Sequence, residues 1–293
     1  MTRSTASTCL AAAILFASTS CSEQQGTTEP ATPRQLPESA APARSTPPQE
    51  ASGLAEALES ARRACDLRAI DVVVSEARQA TEAAPDNAGT WRVLAEAHLE
   101  RAQQRTHLRG IKVGEPLFAE LPEELEGDLE AGIEAVAAAR ARGDDSGALF
   151  RIEAGLLSQR ITGLSSALRY SGDISKALTA AEQRDADDPK LQVALGLRKL
   201  LAPRLLGHDA EQARSHFERA VQNGGDERSA VFAGMATYLQ EKRGEAVQWL
   251  ERAVAANPSN TFAQAVLARL RRGDPEPFGR DVTAAEAAAL KQR

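Results

Sequence analysis

Ala233-Gly234-Met235-Ala236-Thr237, followed by Gly244-Glu245, Ala246-Val247 and Asn257-Pro258, is the stretch on which the fold of this chain turns. An earlier stretch repeats its layout: Leu164-Ser165-Ser166-Ala167-Leu168, then Gly172-Asp173, Ala177-Leu178 and Asp188-Pro189. In both, the small-residue run opens thirteen residues before the Ala-aliphatic pair, and Pro follows twelve residues after it. Self-similarity at fixed offsets marks a solenoid built from one supersecondary unit. The unit predicted is a pair of antiparallel helices. Small residues such as Ser165, Ala177, Gly234 and Ala246 are expected where paired helices cross, and Leu250 and Val254 fill the gap to the next helix. Pro189 and Pro258 follow the second helix, because Pro cannot continue a helix but can open one.

Composition agrees with an all-α chain. Apolar residues make up 42% and aromatics only 4% of the sequence, with Ala and Leu dominant. Strands favour β-branched and aromatic residues, whereas Ala and Leu favour helix. The net charge is 35 − 41 = −6. An acidic chain lacks the clustered Lys and Arg that phosphates reward, so no nucleic-acid partner is expected. Arg198-Lys199 and Arg271-Arg272 are too short to form a basic patch and read as solvated helix surface.

Further motifs extend the repeat. Trp91-Arg-Val-Leu94-Ala95-Glu-Ala-His98 has a large residue and an aliphatic-small pair; Ala213, Phe217 and Ala220 repeat the pattern of Ala246, Leu250 and Ala253. On these residues the chain resembles the tetratricopeptide repeat family. The resemblance implies a right-handed superhelical array, with units over about 54–87, 88–145, 146–191, 192–226 and 227–260 and a capping helix at Thr261–Arg272. It also implies a concave groove lined by the first helices. Carried over, the groove positions are Arg92 and Glu96, then Thr162, Arg169 and Tyr170, then Val231, Met235 and Tyr238. Arg92 or Arg169 could hold a partner carboxylate bidentately. Equally, Arg92 and Glu96 could be an i, i+4 surface pair.

Two segments depart from the repeat. Residues 107–124 form an insertion carrying Gly110, Gly114, Pro116 and Pro122, and long loops within compact arrays are often functional. Residues 202–209 lengthen a turn. Its Pro203-Arg-Leu-Leu-Gly207 followed by an Ala…Phe-Glu-x-Ala helix resembles the helical accessory protein of tripartite periplasmic transporters. After Gly273 the tail is expected to hold one short Ala-rich helix capped by Thr283.

The first fifty residues read as an address and a tether. Arg3 precedes an apolar run at Leu10–Ala17, too short to span a membrane as a mature helix, and Ser18-Thr19-Ser20 follows. Cys21 after these small residues resembles the bacterial lipobox, which implies a 1–20 signal peptide and acylation of Cys21. Ser18 stands where that family usually has an aliphatic residue, so cleavage releasing a soluble periplasmic protein is the alternative. Ser22 rather than Asp favours the outer membrane over the inner. Residues 21–53 are rich in Pro, Ser and Thr and should form a disordered tether.

Catalytic constellations are scarce. No pair among His98, His107, His208 and His216 has the spacing of a helical zinc site. His98 falls at a packing position, and Asp185-Ala-Asp187-Asp188 reads as a helix-terminal turn rather than a calcium loop. Ser146 in Gly143-Asp-Asp-Ser146-Gly147 reads as a helix cap. Cys65 is left without a pairing partner once Cys21 is acylated. No enzyme, cofactor or metal site is expected. Two functional expectations stand. One is an envelope-tethered scaffold binding protein or peptide partners in the groove. The other is a small-ligand module for a transporter, with a pocket near 107–124 or 202–209.

Overall fold

The computed structural model describes residues 49–203 and 207–291. Twelve helices and no strand are found among them. They are α1 (Gln49–Arg63), α2 (Leu67–Ala83), α3 (Ala88–Thr106), α4 (Glu123–Ala141), α5 (Gly147–Gln159) and α6 (Leu164–Arg184), then α7 (Pro189–Leu201), α8 (Ala210–Gln222), α9 (Glu227–Leu239), α10 (Arg243–Ala256), α11 (Thr261–Arg272) and α12 (Ala284–Lys291). Local chemistry sets the boundaries. Asp66, Asn87, Ser146, Asp188, Asp209, Asp226 and Asn260 each accept a backbone N–H of the first turn that follows, satisfying donors that a helix start leaves orphaned. Pro189 opens α7, where no N–H is needed. Thr283 caps α12 as expected, its Oγ1 accepting from Glu286 N at 3.1 Å.

Five consecutive helix pairs, α1/α2 to α9/α10, follow the expected unit limits closely, and α11 caps them. The internal register of the third unit is a correction. Leu164–Arg184 is one continuous helix, so Gly172-Asp173 is not its inter-helix break. The first helix of that unit is α5, and Ser165 lies exposed on the same helix as Ala177. The tether boundary shifts too: α1 already begins at Gln49, and Ala51 is buried, ahead of the expected limit at 53.

The apolar core is arranged in series. One cluster joins α1 to α5 through Leu58, Ile70, Leu99, Leu129 and Leu156. A second joins α5, α6 and α7 through Ala154, Leu178 and Leu191. A third runs from α7 to the tail through Phe217, Leu250, Val266 and Phe278. Small residues let helices approach as the repeat pattern requires. A Cβ on Gly234 would collide with Leu250, and one on Gly196 would sit 2.5 Å from the Phe217 ring.

Across the array, the insertion and the tail meet. Ile111 N donates to Phe278 O at 2.8 Å, and Val282 N to Leu108 O at 2.8 Å. Gly110 N donates to Asp281 Oδ1 at 2.8 Å. Arg269, only 2% exposed, fastens the tail from beneath. It donates to the carbonyls of Pro277, Arg280 and Asp281 and pairs with Glu286 at 2.6 Å.

Candidate functional site

Each first helix of a pair turns charged side chains towards the axis of the array, and these side chains meet one another. From α1, Arg62 donates to Glu227 of α9 at 3.0 and 3.3 Å and lies 3.4 Å from Asp226. From α3, Glu100 accepts both terminal nitrogens of Arg228 at 2.9 and 3.0 Å, while Gln103 accepts a third bond at 2.6 Å. Glu96, one turn earlier on α3, accepts from Arg151 of α5 at 3.1 Å and from Lys190 of α7 at 2.8 Å. Arg151 Nε reaches on to Asp188 at 3.1 Å. Asn257 closes the set, its Nδ2 donating to Glu227 Oε1 and to the carbonyl of Arg63, both at 3.0 Å.

Burial and charge act against each other here. Burial alone would raise the pKa of Glu96, but Arg151 and Lys190 outweigh it and hold the carboxyl at about 2. Asp226 behaves likewise: burial raises its pKa, Arg228 and Arg62 lower it further, and the result is about 2. Arg62 and Arg228 are correspondingly held more firmly in the charged form against their own desolvation.

The expected groove residues divide into three fates. Val231 and Met235 are 4% and 2% exposed and belong to the third apolar cluster, so they are corrected to core. Helix α9 is buried on nearly all sides by its neighbours, Glu227, Ser229 and Thr237 included. Arg92, Glu96 and Tyr238 are polar but already committed. Arg92 donates to Asp144 at 2.7 Å and to Ser146 Oγ at 3.3 Å, so it is neither a free anchor nor the i, i+4 partner of Glu96. The Tyr238 hydroxyl donates to Pro275 O at 2.7 Å, and its ring tilts against Phe278. Thr162, Arg169 and Tyr170 lie in the α5–α6 turn and on α6, a second helix, and therefore not on the first-helix surface. Thr162 N donates to Ser166 Oγ at 2.9 Å, Tyr170 lies beneath the Arg160 guanidinium, and Arg169 is exposed. Leu164 and Leu168 beside them are 65% and 59% exposed, while every buried residue of α6 lies in its second half.

Along the insertion at 107–124, residues 278–282 of the tail are joined to residues 108–111 by backbone hydrogen bonds and by the Asp281 carboxylate. Within the 202–209 turn, residues 204–206 lie outside the described residues, as do Cys21 and the 1–48 segment. His98 is buried as its packing position implied, against Gly132 and near Asp128. Sequence reading missed Arg62, Glu100, Arg151, Glu227, Arg228 and Asn257. One signal was available for one of them: Arg151 interrupts the apolar run of Ala148-Leu149-Phe150 and Ile152 in the largely apolar α5.

Comparison with solved structures decides the fold. A thermophilic TPR protein of Thermus thermophilus superposes with a TM-score of 0.56 at 14% identity, over 76% of this chain and 98% of that one. The chain has the tetratricopeptide-repeat fold. The APC/C Cut9–Hcn1 hetero-tetramer matches with a TM-score of 0.52 at 13% identity, over 83% of this chain but 44% of that one. No protein-family description and no curated protein matches the chain.

Proposed function

We propose that this TPR array is a non-enzymatic scaffold for protein–protein interaction, tethered to the bacterial cell envelope through an acylated Cys21 and facing the periplasm. The repeat fold supports the scaffold reading, since stacked helix pairs present extended surfaces. The partner surface we assign is outer rather than axial. The axis is filled by paired charges of the chain itself, whereas the first half of α6 exposes Leu164, Leu168 and Arg169 together. That exposed shelf is the observation that carries the reading, because large apolar side chains grouped in solvent mark contact sites. The tether rests on the Leu10–Ala17 run and Ser18-Thr19-Ser20-Cys21. No described helix is long and apolar enough to cross a membrane.

Two measurements test this. Mass spectrometry of the mature amino terminus is expected to find acylated Cys21 in the membrane fraction; an unmodified terminus in the soluble fraction overturns the tether. A photo-crosslinking residue at Leu168 is expected to capture a protein partner in cells, and one at Glu96 is not. Capture from position 96 with none from 168 returns the contact to the axis.

A further inference from the structure

The array is held together in two chemically different ways. Along the solenoid, successive helices share apolar clusters, each ending where the next begins. Across the axis, the described contacts of α1 are polar: Arg62 meets Asp226 and Glu227 at the start of α9, the Arg63 carbonyl accepts from Asn257 after α10, and Glu59 lies 3.9 Å from Lys190 of α7, while no apolar cluster among the described residues contains side chains from both α1 and α9. The α3–α9 junction is likewise Glu100, Gln103 and Arg228. Arg62 and Glu227 are each 4% exposed and separated by 165 positions in the chain.

The difference matters energetically. Separating an apolar contact exposes surface to water with no compensation. Separating a buried ion pair returns both ions to water, and their recovered hydration offsets most of the lost attraction. A polar junction can therefore open at small net free energy while the serial core stays intact. The insertion–tail seam lies behind α3, where Leu108, Ile111 and Val113 join the third apolar cluster, so α3 is anchored independently of α1.

We infer that the Arg62–Glu227–Asn257 junction is a reversible latch, which decides whether the first helix pair is clasped against α9 or released from it. Closed, the latch holds Glu59 of α1 within 3.9 Å of Lys190, which itself pairs with Glu96; released, it withdraws Glu59 from that charged set. The latch is independent of the proposed α6 contact and of the tether. Charge sets the closed state because Glu227 bridges a guanidinium and an amide at once, a geometry that an uncharged substitute only half reproduces.

Hydrogen exchange read helix by helix on the full chain tests this. In the unaltered protein, α1 amides are expected to exchange by a local opening, with protection below that of α3 and α9. Glu227→Gln keeps side-chain shape and removes the charge. It is expected to lower α1 protection at least about tenfold, the equivalent of about 1.4 kcal/mol, with protection of α10 and α11 and the circular dichroism unchanged. Two results overturn the latch: α1 protected equally with α3 and losing protection only on global unfolding, or Glu227→Gln lowering protection of every helix alike.

Discussion

Arg62 illustrates what a single residue does in this protein. It is a cation surrounded by Glu59, Asp226 and Glu227. Truncation to Ala leaves buried carboxylates facing one another. Because the junction can open and rehydrate those carboxylates, Arg62→Ala is expected to cost only about 1–2 kcal/mol in urea unfolding, still more than removal of an exposed arginine such as Arg169 would cost. The same network sets the acid response. Folding lowers the pKa of Glu96 from 4.5, and that of Asp226 from 3.8, to about 2 in each case. Their stabilisation is thus complete above the unfolded values and is lost as pH falls towards 2. Stability is expected to decline steeply between about pH 5 and pH 2. In Glu96→Gln the decline should be shallower by about 3 kcal/mol at most, as read from denaturant midpoints across that range. An unchanged profile would remove Glu96 from the account. Little of this was legible beforehand. Glu96 was singled out, but as a contact for a partner, because a helical repeat pattern shows which face a residue occupies and not whether that face meets solvent or another helix.

At the scale of elements, the repeat pattern located helix pairs but misread one break. Gly172-Asp173 has the look of punctuation, and in isolation a glycine costs a helix about 1 kcal/mol. Packing of Ile174, Ala177 and Leu178 on the second core cluster continues α6 through it. Close approach rather than flexibility explains Gly196 and Gly234, which face Phe217 and Leu250. Gly196→Ala should destabilise by about 1–3 kcal/mol through overpacking, measurable by thermal or urea unfolding. Gly110 is more demanding. A Cβ there would lie 2.5 Å from the Gly279 carbonyl carbon, backbone that no side-chain rotation can move aside. Gly110→Ala is expected to detach the tail, making the segment after Gly273 sensitive to protease while α9 and α10 stay resistant. Equal resistance in both proteins would show that the seam tolerates the methyl group.

At the scale of the whole molecule, the tail is part of the fold. It supplies Phe278 and Val282 to the third core cluster and carbonyls to Arg269. Deleting residues 274–293 strips partners from a cation that is 2% exposed. The expected result is a loss of several kcal/mol, with α11 losing amide protection first. A melting temperature equal to that of the full chain would contradict it. What the sequence determined by itself is the list of local events: an all-α chain, five helix pairs and a cap, with Ser146 and Thr283 as starts and Pro189 as an opener. These depend on residues within a few positions of each other, so periodicity and capping chemistry suffice. Only the tertiary structure decided that α1 reaches α9, that the insertion is matched to the tail, and that Val231 and Met235 face inward. Those outcomes depend on how small inclinations between successive pairs accumulate over the array, and on charges far apart in sequence finding partners once it has curled. Neither leaves a mark on any one repeat.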